Sequence, residues 1–146
     1  MKYISTLNSS VLLLIIFVVL SSCKAQKQND MNSEKLISQE YIITQLGDKE
    51  ISNSKLTIKV DSKSSTLSGY SGCNSYSFNY KLNDGTLDLG FGRATKMYCE
   101  DTMELEELFF QKAASVTQFE NSTETLHLKD KSGDILIKAK TKAERE

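Results

Sequence analysis

Few side chains in this sequence could do chemistry, and they are thinly spread. Gly69-Tyr70-Ser71-Gly72 comes near a nucleophile elbow, in which a serine is presented on a sharp turn between glycines. The Gly-x-Ser-x-Gly pattern, however, requires glycine where Cys73 stands. His127 is the only histidine that could act as a base. With Leu126 and Leu128 facing inward in an alternating stretch, it is expected to face solvent. Asp84 with Asp88, and Glu104 with Glu107, could be written as acid and base. Turn, strand-surface and helix-end roles account for each of these carboxylates without catalysis. No phosphate loop, calcium loop or set of metal ligands is present in the sequence. The expectation is a protein that is not an enzyme and carries no metal and no cofactor.

The three cysteines invite a different chemistry. Val11 to Leu20 is an unbroken apolar run after a single charge, Lys2. It is shorter than the roughly 20 residues that span a bilayer, and it has the length of a signal-peptide core. Leu20-Ser21-Ser22-Cys23 follows, which resembles the bacterial lipobox. That resemblance implies cleavage of residues 1–22 and acylation of Cys23, an anchor strong enough to hold when two or more chains insert. Lys24 rather than aspartate follows the cysteine, which by resemblance to enterobacterial sorting points to the outer membrane, periplasmic side. Cys73 and Cys99 are then an even pair in an oxidising compartment. A structural disulfide is the favoured reading, beside two separate thiols, a redox pair lacking Cys-x-x-Cys spacing, or half a zinc site lacking ligands. A bridge would close a loop of roughly 27 residues, stabilising by about 3.5 kcal/mol in the chain-entropy picture.

Around these groups the chain divides into a signal peptide (1–22), a lipidated polar tether (23–38), one folded domain (39–140) and a charged, frayed tail (141–146). The formal net charge is −1, and removing the signal takes away only Lys2. No concentrated basic face favours nucleic acid. A monomer is expected, joined to the membrane by its lipid and open to a protein partner in the envelope.

The folded part reads as mainly β. Tyr41 to Leu46, then Leu56, Ile58 and Val60, form the first strands, and Gly69 and Gly72 mark a bend. Tyr76, Phe78 and Tyr80 alternate with polar residues, Asn83-Asp84-Gly85 turns the chain, and Leu87 and Leu89 return it as a hairpin. Asp101 with Glu104 resembles a capping box opening a helix to about Ala114, with Leu105, Leu108, Phe109 and Phe110 on its apolar stripe. Val116 to Glu120, Leu126 to Leu128 and Ile135 to Ile137 complete a curved antiparallel sheet or partly open barrel of about eight strands with one helix packed on it.

Gly69-x-x-Gly72-Cys73-Asn74, the strand ending at Tyr80, Thr95-x-Met97-x-Cys99 and the helix opened by Met103 resemble the META domain of HslJ-like heat-shock lipoproteins. The likeness covers Tyr41 to Lys138; Tyr41 stands where the family opens with tryptophan. The resemblance implies a small barrel-like envelope domain without established enzymatic activity, linked in some members to heat shock or antibiotic tolerance. A binding or assembly role is the leading expectation. The alternative is a carrier of a small hydrophobic ligand or lipid, with Phe78, Tyr80, Phe109 and Phe110 lining the interior or offering the partner surface.

Overall fold

Alternation of apolar and polar residues builds most of the sheet. The computed structural model describes residues 34–51 and 55–142. The signal peptide, Cys23, the tether as far as residue 33 and the last four residues of the tail lie outside the described residues. Strand β1 (Glu40–Leu46) buries Tyr41 and Ile43, and a bulge between Ile43 and Gln45 shifts the phase so that Leu46 also turns inward. The short β2 (Lys49–Glu50) folds back on β1. Strands β3 (Thr57–Asp61) and β4 (Thr66–Tyr70) contribute Ile58, Val60 and Leu67 to the core. β5 (Ser75–Asn79) adds Tyr76 and Phe78. After the excursion through β6 (Lys81–Asn83) and β7 (Thr86–Asp88), β8 (Arg93–Ala94) pairs with β5. Helix α1 (Met103–Ala113) precedes β9 (Gln118–Asn121), β10 (Thr125–Lys129) and β11 (Ile135–Thr141).

The main sheet has nine strands, all antiparallel, in the order β8-β5-β4-β3-β1-β11-β10-β9, with β2 beside β1. It is curved but not closed, and one helix packs against it, as the pattern of short strands leads one to expect. The hairpin expected from Tyr76 through Leu89 is divided differently. Ser75–Asn79 pairs with β4 and β8, while the Asp84–Gly85 turn joins only β6 to β7, a separate two-stranded ribbon. The break falls at Tyr80, whose N–H donates to Ser65 O at 2.9 Å. The ribbon reaches toward the other end of the sheet, where Leu87 N donates to Thr117 O at 2.8 Å.

Residues 34–38, which read as the end of a tether, lie against the sheet. Leu36 is buried in the core, and Ile37 N donates to Asn121 Oδ1 at 2.7 Å. At the other terminus the charged run is held to Thr141, because β11 is an interior strand between β1 and β10. Ala139 points inward while Lys140 stays in solvent, and Lys142 Nζ meets Glu40 Oε1 at 2.8 Å.

Candidate functional site

The motif residues converge on one buried carboxylate. The turn between β4 and β5 is Ser71-Gly72-Cys73-Asn74, closed by Ser71 N donating to Asn74 O at 2.9 Å. Gly72 adopts φ of 111° there, a conformation that disfavours any side chain. Gly69 is needed for a different reason. A Cβ at that position would stand 2.0 Å from the backbone oxygen of Thr57 on β3 and 3.0 Å from the Tyr76 hydroxyl. The Tyr76 hydroxyl itself donates to that same Thr57 oxygen at 2.8 Å.

From this turn Asn74 reaches in two directions, and it is buried. Its Oδ1 accepts from Thr95 Oγ1 at 2.7 Å and Met97 N at 2.8 Å, and its Nδ2 donates to Met97 O at 3.1 Å. The amide thus does for residues 95–97 what a neighbouring strand would do. On the other side Nδ2 donates to Glu106 Oε1 at 2.8 Å, and Asn74 N donates to Glu106 Oε2 at 2.9 Å. The Ser71 hydroxyl also contacts Glu106 Oε2. Both donor hydrogens and both acceptor lone pairs of the Asn74 amide are therefore used. Cys73 and Cys99 form a disulfide with their Cα atoms 5.7 Å apart, which ties the same turn to the far end of the segment.

Glu106 is the residue that the sequence did not single out. It is only 7% exposed and has no cationic partner among the described residues. Burial alone would push its carboxyl up. Donors from the Ser71 hydroxyl, the Asn74 side chain and the backbone of Asn74 and Cys73 outweigh that and hold it below the usual carboxylate value. Its place early in the helix adds favourable dipole. A signal was present in the sequence: Glu106, Phe109 and Ala113 are spaced i, i+3, i+7, and they are the buried line of α1. The expected Asp101 cap is absent. Thr102 is the N-cap and makes no side-chain cap bond, so Asp101 lies outside the helix in solvent.

The catalytic candidates do not assemble. Ser71 is fully buried and committed to Glu106 and Asn74. Asp84 sits at φ of 48° in the ribbon turn, and Asp88 Oδ1 accepts from Gly90 N at 2.8 Å. His127 points away from the core as expected but is half-buried rather than free in solvent, because its strand is flanked on both sides. Its Nδ1 lies 4.0 Å from Glu120 Oε2, and Glu120 is itself paired with Lys129. Burial first, then Lys138, lowers the histidine pKa despite Glu120. Among the described residues no three His, Cys, Asp or Glu side chains gather as metal ligands.

The aromatic residues expected to line a ligand site or partner surface are not displayed at the surface. Phe78, Tyr80 and Phe109 are buried and Phe110 is partly so, because β5 points its even-numbered side chains, Tyr76 and Phe78, inward and the rings of α1 pack on them. Tyr76 contacts Phe78, Phe109 and Phe110 at centroid distances of 5.6, 4.6 and 6.1 Å, so these rings fill the interior with one another. Among the described residues the large exposed apolar side chains are Phe91, Met97, Tyr98 and Ile135, and the backbone of Met97 is the part that Asn74 holds.

Residues 34–143 match the model of the META domain family. Two solved structures share the fold. An NMR structure of a protein from Burkholderia xenovorans has TM-score 0.59 and 19% identity, covering 77% of this chain and 87% of its own. A second NMR structure has TM-score 0.56 and 22% identity, covering 75% of this chain and 94% of its own. No curated protein matches the chain.

Proposed function

The chain belongs to the META domain family, and we propose that it is a non-catalytic, lipid-anchored protein of the bacterial envelope with a binding or assembly role. Envelope stress or antibiotic tolerance is the setting that the HslJ-like resemblance suggests, with the outer membrane, periplasmic face, as its location. One observation carries the binding reading. The polar groups of the motif are spent on each other and fix the backbone at residues 95–97, where Met97 and Tyr98 stand exposed, with Phe91 exposed earlier in the same stretch. Buried polar clusters that are fully satisfied rigidify what they hold, and large apolar side chains gathered in one exposed stretch point to a contact surface. The anchoring reading rests on the Leu20-Ser21-Ser22-Cys23 sequence and the apolar run before it.

Two measurements on the full chain test this. Intact mass after membrane extraction should show loss of residues 1–22 and an acylated Cys23, and Cys23→Ala, which has no thiol to acylate, should keep the full unprocessed mass. A natural chain of unprocessed mass, or a Cys23→Ala protein still cut after residue 22, would refute the anchor. A photo-crosslinking residue at Phe91 or Tyr98 should capture envelope components in cells. If crosslinks form only from sites outside 90–98, the surface has been misplaced.

A further inference from the structure

Three of the four large exposed apolar side chains among the described residues fall within one stretch of eight: Phe91 at 99%, Met97 at 56% and Tyr98 at 80% exposure, with only Ile135 elsewhere. The backbone beneath them is not loose. A Cβ on Gly92 would stand 2.5 Å from the Phe78 ring, so the chain lies directly on the core at that point while Phe91 projects outward. Thr95 N donates to Ser75 O at 3.0 Å, and Asn74 and the disulfide hold the remainder. Between the apolar residues stand Arg93 and Lys96, both exposed, which make no ion pair among the described residues.

We propose that residues 90–98 form a membrane-contact loop, in which Phe91, Met97 and Tyr98 enter the headgroup boundary of an anionic bilayer while Arg93 and Lys96 meet lipid phosphates. The inference deepens the anchored reading above and rests on it for proximity. A ring exposed at 99% has no wall beside it, so its partner must supply the whole surround. A fluid interface does that without a complementary pocket. Aromatic rings interleaved with Arg and Lys, whose stems are apolar and whose heads are charged, are the composition that such interfaces accept. The 13 residues from Cys23 to Leu36 reach at most about 45 Å, which bounds how far an anchored domain can stand from its own membrane. Glu100 and Asp101 follow the patch and offset part of its charge. The apolar side chains therefore carry the contact, and lipid charge tunes it.

The chain contains no tryptophan, so Phe91→Trp supplies a sole indole at a position where no packing is lost. The full chain carrying F91W is extracted from membranes and reconstituted into phosphatidylcholine–phosphatidylglycerol vesicles. A Ser132→Trp protein, with its indole in the turn between β10 and β11, serves as reference. The expected result is blue-shifted F91W emission, quenched by acyl-brominated lipid, beside water-like and unquenched S132W emission. Quenching should fall several-fold without phosphatidylglycerol, or when Arg93→Gln and Lys96→Gln are added. Water-like, unquenched F91W emission on a protein whose Cys23 is acylated overturns the loop contact and leaves the anchor standing. Should the mass show no lipid on Cys23, the anchor fails instead. The released protein added to preformed vesicles then decides the loop in the same way, quenching supporting it and its absence overturning it. A blue shift without lipid quenching assigns the loop to contact with a second copy of the chain and overturns the membrane contact.

Discussion

Glu106→Gln is the substitution that best separates the buried cluster from an ordinary helix-surface acid. The carboxylate receives Asn74 N and the Ser71 hydroxyl on Oε2 and Asn74 Nδ2 on Oε1. A glutamine can keep its oxygen at the first position, but its NH2 group then faces the Asn74 NH2 group. Asn74 cannot turn over to relieve this, since its Oδ1 is already committed to Thr95 and Met97. One charge-assisted bond is lost and two buried donors oppose each other, which costs about 2–3 kcal/mol. Were Glu106 only an acid favoured by the helix dipole, the same change would cost roughly 0.3–1 kcal/mol, less at moderate salt. The assay is urea unfolding at pH 7 with the disulfide intact, read as a lower midpoint at unchanged slope. The pH dependence gives a second reading. The folded-state pKa lies below the ordinary carboxyl value, so the stabilisation is complete above about 4.5 and is lost as pH falls through the folded value. The gap between wild type and E106Q should therefore close in acid. A loss below about 0.5 kcal/mol at pH 7, within the range of an ordinary surface substitution, would refute the reasoning.

Gly69→Ala should destabilise by more than about 3 kcal/mol or prevent folding, because its methyl would overlap the Thr57 backbone oxygen rather than a movable side chain; a soluble, wild-type-like melting curve would contradict this. Cys73→Ser with Cys99→Ser should cost about 3.5 kcal/mol by loop entropy, checked by the same urea titration, and a loss under about 1 kcal/mol would mean that Asn74 alone fixes the segment. The His127 pKa is lowered by burial and by Lys138, so the unfolded chain takes up its proton first as pH drops below 6.5. Stability should thus begin to fall from near pH 6.5 downward, and His127→Gln should remove that portion of the acid limb while leaving the carboxylate portion below it. An unchanged limb above pH 5 in the variant would refute the assignment.

Period-two alternation made most of the sheet legible, since Ile58 with Val60, Tyr76 with Phe78 and Leu126 with Leu128 are buried in the pairs that the pattern implies. Bulges hid the rest. Leu46 and Leu136 are buried out of phase because one extra residue shifts the register, and no local composition announces it. The hairpin turn at Asp84–Gly85 was readable, but not that the strand before it would end at Tyr80 and pair elsewhere. The motif residues were visible as a pattern. Their common purpose was not, because it depends on a carboxylate 32 residues further along the chain.

What the sequence determined by itself is whatever depends on neighbours in the chain: the signal-like N-terminus, the lipobox resemblance, the even cysteine pair, the strand alternation and the amphipathic helix. Only the tertiary structure decided which aromatics fill the interior and which stand in solvent. Phe78 and Phe91 are the same residue type in the same region, yet one lies under α1 and the other over nothing. It also decided that an acid on a helix would be buried and satisfied by a distant turn. Burial and hydrogen bonding are properties of what surrounds a side chain, and those surroundings come from strands and turns far away in the sequence.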